Sequence, residues 1–231
     1  MSLLLSFALG AAAAAGADPA DNALAISPRQ IHALVAEYAD CIVKNERRAA
    51  EDAILKDVSD REFHDDYPQL VQELCIPNAR SQDVQIDFTP SEMREAIAEA
   101  LVRREFASVP PPVLDDVPAL SHRSVAEVQP AASAPASEIA ASERARADAY
   151  IDHFGECVVR VDPAGSKRLI LTDAFTDAEA AAFNGMRTAL GTCLAEGKSL
   201  NFGKAALRGS IAINYYRLAV AARNMAPGAA Q

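Results

Sequence analysis

The chain states one pattern twice, and this duplication constrains its fold more than any other feature. Around Cys41 it reads Tyr38-x-x-Cys41-Ile42-Val43-Lys44, and around Cys157 it reads Phe154-x-x-Cys157-Val158-Val159-Arg160. Without a gap, Ile54-Leu55 then matches Ile170-Leu171, and a second cysteine follows in each half, Cys75 and Cys193. Further on, Phe88-x4-Met93-Arg94-x2-Ile97-Ala98-x4-Arg103 matches Phe202-x4-Leu207-Arg208-x2-Ile211-Ala212-x4-Arg217. The acidic residue before the first cysteine also recurs, as Asp40 and Glu156. Self-similarity at long period marks a repeated structural unit. What repeats here is framework: aromatics, aliphatics, cysteines and arginines.

Four cysteines allow three pairings. A unit that folds both before and after duplication carries its own bridge, so Cys41–Cys75 and Cys157–Cys193 are the expected pairs. Each closes a loop of about 35 residues, worth about 3–4 kcal/mol in the chain-entropy model. A tetrahedral zinc site fits less well, because the cysteines are isolated rather than grouped as C-x₂₋₄-C. Bridges need an oxidising compartment, and the start of the chain agrees. The apolar run from Leu3 through Ala15, followed by Ala15-Gly16-Ala17, reads as a signal peptide over 1–17, although no Lys or Arg precedes the run. No later stretch is apolar for the roughly 20 residues that a spanning helix needs. The expected location is therefore outside the cytoplasm, in the periplasm or secreted, with no integral membrane segment in the mature chain.

The periodicity predicts an all-α fold of two tandem repeats, about four helices each, over 26–107 and 143–223. Ser27 with Pro28 opens a helix carrying Ile31, Leu34, Val35, Tyr38 and Ile42 at helical spacing. Thr89-Pro90-x-Glu92 and Thr176-Asp177-Ala178-Glu179 both read as capping boxes. Val84–Phe88 is the one good strand candidate. Between the repeats, 108–142 holds six prolines among alanines and serines and reads as a linker. Residues 224–231 read as a disordered tail.

The net charge is −10, and it is unevenly spread: 10 basic against 17 acidic residues over 26–107, but 11 against 9 over 143–223. An acidic chain without a basic, aromatic-interleaved stripe argues against nucleic-acid binding. Arg94 with Arg208, and Arg103 with Arg217, are the leading candidates for chemistry, since a guanidinium fork suits a carboxylate or phosphate. Read structurally, Arg94 pairs with Asp40 and Arg208 with Glu156, tying the fourth helix of each unit to the end of its first. His64, with Asp57, Asp60, Glu62, Asp65 and Asp66, has the composition of a cation site or of a carboxylate-based hydrolase, but it has no counterpart in the second half. His153 and Cys157 have zinc-ligand spacing, which the bridge at Cys157 removes. His32 and His122 fall near a helix stripe and in the linker. Gly209-Ser210 lacks the strand–turn–helix setting of a nucleophile elbow, and Tyr215-Tyr216 reads as one core and one surface tyrosine. These residues supply no catalytic set, cofactor or metal assignment.

The Cys157-Val158-Val159-Arg160 stretch, the spaced second cysteine and the run from Ala206 to Arg217 (Ala-Leu-Arg-Gly-Ser-Ile-Ala-x-x-Tyr-Tyr-Arg) resemble exported, uncharacterised proteins of alphaproteobacteria. The first half follows that pattern more loosely at Met93-Arg94-Glu95-Ala96-Ile97. The resemblance implies an envelope location and a duplicated unit, and brings no activity. The expected function is a non-enzymatic scaffold or protein-interaction module. The alternatives are a binding protein for a small anionic ligand, using the repeated arginines, and a hydrolase around His64.

Overall fold

The structure, a computed structural model, describes residues 27–56, 58–76, 89–122, 135–194 and 203–226. The signal-peptide reading, the strand candidate Val84–Phe88 and Asp57 lie outside the described residues. Within them the fold is all-α, with no strand. α1 (Pro28–Asn45) begins as its sequence requires: Ser27 accepts from the Gln30 amide while the Gln30 side chain returns to the Ser27 amide. α2 (Arg47–Leu55) and α3 (Asp60–Asp66) follow, then two 3₁₀ turns at Pro68–Leu70 and Glu73–Cys75. α4 (Pro90–Phe106) opens on the Thr89–Glu92 capping box.

The second half begins with α5 (Ala136–Val161), which starts inside the stretch read as a linker. α6 (Pro163–Leu171), α7 (Asp177–Gly185), α8 (Arg187–Cys193) and α9 (Lys204–Met225) complete the order. The Thr176–Glu179 box is only half made. Thr176 accepts from the Glu179 amide, but the Glu179 carboxylate turns instead to the Phe175 amide and to Arg208. α9 runs on through Asn224 and Met225 into the expected tail.

Both bridges form as expected, Cys41–Cys75 and Cys157–Cys193, with Cα atoms 5.5 and 5.8 Å apart. Each joins a long helix, α1 or α5, to a segment about 35 residues further on, stapling the part of each half that lacks a long helix of its own.

α4 and α9 lie at the centre, packed on each other, with α1 on the far side of α4 and α5 on the far side of α9. Covered on several sides, α9 is buried almost all round: from Leu207 to Val220 only Ile213 is partly exposed. This corrects the reading of Tyr215-Tyr216, since both tyrosines are in the core. Both rings meet Phe106 of α4 edge-on, at 6.4 and 5.8 Å. α5 and α9 approach closely where Gly155 faces Ser210; a Cβ on Gly155 would lie 2.2 Å from the Ser210 hydroxyl. Ser210 uses that hydroxyl to donate to the Ile151 carbonyl of α5 at 2.7 Å.

The first part of the expected linker, 108–122, has no regular secondary structure yet is packed against the body, with Leu114 and Val117 buried in the core. Prolines at 110, 111, 112 and 118 offer carbonyls but no amide donors. Side chains of the second half donate to carbonyls along the segment, that of Pro118 among them. Arg160 donates to Leu114, Val117 and Pro118, and Lys167 donates to Val109. This segment is a strap tied to the second half; residues 123–134 lie outside the described residues.

Candidate functional site

Arg208 is only 1% exposed and uses its whole fork. Nε and Nη2 hold Glu99 of α4 in a bidentate pair at 2.7 and 2.9 Å, and Nη1 reaches Glu179 of α7 at 3.2 Å. The same guanidinium donates to the carbonyls of Leu169, Ile170 and Thr172 at 2.9, 3.0 and 2.8 Å. Those carbonyls lie at the α6 C-terminus, where a cation also suits the helix dipole. Burial alone would lower the Arg208 pKa, but Glu99 and Glu179 more than offset it and the net direction is upward.

Arg94 does the corresponding task in the first half, donating to the Val58 carbonyl just after α2 and to Asp60 at 3.3 Å. The expected Arg94–Asp40 and Arg208–Glu156 pairs are therefore not formed. Each arginine ties its helix to the end of the second helix rather than the first. The reason is placement: Arg208 faces the layer shared by α4, α6 and α7, whereas Glu156 faces the strap.

Glu156 accepts from the Leu120 amide at 3.0 Å, from Arg160 at 2.8 Å, and pairs with His122 at 2.7 Å. Burial pushes its pKa up, but the Leu120 amide, Arg160 and His122 push it down further, so the net shift is downward. His122 also packs against His153, ring centroids 4.6 Å apart. Arg217 donates to the Ser121 carbonyl at 2.8 Å, so it too holds the strap.

The matched pair in the first half, Asp40 and Arg103, lines a cavity of about 400 Å³ between α1, α4 and the turn at Asp173 and Ala174. That size falls in the range of small-ligand sites. The walls are largely alanine methyls, with His32 and Glu99 among the polar lining groups. Arg103 spends Nη2 on the Thr172 carbonyl at 2.6 Å and lies 3.8 Å from Glu99. The cleft wall desolvates Asp40 and raises its pKa, opposed by Arg103 and Arg104. Burial likewise lowers the His32 pKa, with Glu99 opposing. At the rim, His32 meets Phe175 edge-on at 6.0 Å, and Phe175 holds φ 58°, a conformation rarely taken by a bulky residue.

The residues around His64 are distributed over ordinary surface contacts. His64 hydrogen-bonds Asp65 at 2.9 Å on the exposed face, and Asp60 is held by Arg94. No group of three or more ligating side chains has metal-site geometry among the described residues. Sequence reading missed Glu99 and Glu179 as partners of Arg208, neither of which belongs to the repeated pattern, and missed that Arg160, which does belong to it, holds the strap. The uneven charge of the halves was the one signal for Glu99: an acidic first half supplies it to an arginine of the more basic second half. No described helix is long and apolar enough to cross a membrane. Comparison with family models, curated proteins and solved structures yields no match.

Proposed function

We propose that this chain is a non-enzymatic helical interaction module working outside the cytoplasm, in the periplasm or secreted. The observation that carries the reading is how its repeated residues are spent. Four cysteines, Arg94 and Arg208 are committed to joining helices, and Glu156 and Arg217 to fastening the strap. A framework with its charges committed in this way is built to hold a surface rigid. Two disulfides fit an oxidising compartment, and the apolar leader over 1–17 and the resemblance at Ala206–Arg217 support export.

The small-anion reading draws on one observation. Of the four repeated arginines, Arg103 alone lines the described cavity, while Arg94, Arg208 and Arg217 donate to protein partners. The cavity also carries Glu37, Asp40 and Asp173, so its mouth is not an anion trap.

Export is tested by fusing alkaline phosphatase, active only when oxidised outside the cytoplasm, to the C-terminus of the full chain. The expected result is an active reporter, with all four cysteines inaccessible to alkylation before reduction. An inactive reporter and alkylated thiols would refute the location.

A further inference from the structure

The two halves use matched residues in different ways, and the difference shows what the open cleft is shaped to hold. In the second half the strap backbone runs between an acid on α5 and an arginine on α9. Its Leu120 amide donates to Glu156 at 3.0 Å, and its Ser121 carbonyl accepts from Arg217 at 2.8 Å. Next along, the His122 ring pairs with the second oxygen of Glu156 at 2.7 Å. A peptide thus gives an N–H to the acid, a C=O to the arginine and a basic side chain back to the acid.

In the first half the matched acid and arginine, Asp40 on α1 and Arg103 on α4, line the cavity instead. Asp40 makes no hydrogen bond or ion pair among the described residues, and Arg103 engages only Nη2. Alanines at 33, 36, 96 and 100 line the space between the helices, leaving room for a main chain to approach. Asp40 is therefore an acid with its acceptor sites open, beside an arginine with Nε and Nη1 unspent. The second half answers the same pairing with an extended peptide.

We propose that the α1–α4 cleft binds an extended peptide segment of a partner protein, laid between Asp40 and Arg103 as the strap is laid between Glu156 and Arg217. This rests on the interaction-module reading and names the face and the class of partner. The segment presents a backbone amide and a following basic side chain to Asp40, and a carbonyl to Arg103. A basic segment is favoured, because the acids Glu37, Asp40 and Asp173 outnumber Arg29 and Arg103 around the cavity. An extended segment gains main-chain hydrogen bonds whatever its side chains, and the basic residue supplies selectivity.

The strap itself provides the probe. A fluorescein-labelled peptide of residues 117–122, which leaves out Asp115 and Asp116 and carries His122→Lys as its basic residue, is titrated against the oxidised full chain by fluorescence anisotropy. Saturable binding is expected, weakened at least tenfold by Asp40→Asn and by Arg103→Gln, and retained in Glu156→Gln. Asp40 makes no hydrogen bond or ion pair among the described residues, so Asp40→Asn breaks no bonded contact of the fold, and an unchanged thermal midpoint of the variant keeps the test interpretable. No saturable binding, or binding indifferent to Asp40→Asn, overturns the proposal. Binding lost only in Glu156→Gln also overturns it, since the peptide would then be replacing the strap. A dimer dispersed by the peptide assigns the cleft to a second copy of this chain and rules out the partner. None of these outcomes bears on export, which the phosphatase fusion reads separately.

Discussion

Arg208 illustrates how a charged side chain becomes affordable in a helical core: seven acceptor contacts surround one guanidinium, two carboxylates among the acceptors. Breaking a buried pair by removing one partner strands the other, at a cost of roughly 3–5 kcal/mol. Arg208→Ala and Glu99→Ala should each destabilise on that scale by chemical denaturation. The double variant should cost well under the sum, because the stranded charge is gone. Additive effects would separate the two residues. Glu156 gives a pH signature. Its folded pKa is depressed, so its stabilisation is present above the ordinary glutamate range and is lost as pH falls below about 4, toward the folded value. Thermal stability of the wild type should therefore drop more steeply than that of Glu156→Gln over that acidic window; parallel curves would show that the carboxylate does not hold the strap.

Helices differ in how far the sequence announces them. α1 is legible from Ser27 with Pro28 and α4 from its Thr89–Glu92 capping box with Pro90, and the bridges because the cysteines recur in matched places. The repeated arginines were legible as a set but not in their partners. Glu99 is 109 residues from Arg208 and lies outside the repeated pattern, so only the packing of α4 on α9 brings them together. The strap was read as a linker because its prolines and small residues bury little surface of their own. Its order comes from donors on α5 and α6, which no local pattern encodes. Glycines separate local preference from packing. Gly191 in α8 has nothing within 4 Å of a built Cβ, so Gly191→Ala should stabilise by about 0.5–1 kcal/mol through helix propensity. A Cβ on Gly155 in α5 would lie 2.2 and 3.1 Å from the Ser210 hydroxyl and main chain, so Gly155→Ala should lower stability despite the same propensity gain. Thermal denaturation of the two variants should move in opposite directions; a stabilised Gly155→Ala would mean that α5 and α9 do not meet so closely.

At the scale of the whole chain, the duplication suggests two units, but the contacts join them. α4 of one half packs on α9 of the other, Arg208 reaches across to Glu99, and Arg223 and Tyr216 both meet Glu105 of α4. Arg103 returns the contact by holding the Thr172 carbonyl. The strap crosses as well, leaving α4 and fastening to α5. Halves joined through a shared apolar core and a buried ion pair lose much of their stability when separated, so neither should remain folded when the other opens. The most direct test is differential scanning calorimetry of the oxidised, full-length protein. One transition is expected, with calorimetric and van't Hoff enthalpies equal. Two resolved transitions, or a calorimetric enthalpy well above the van't Hoff value, would contradict the account and show two units that fold independently.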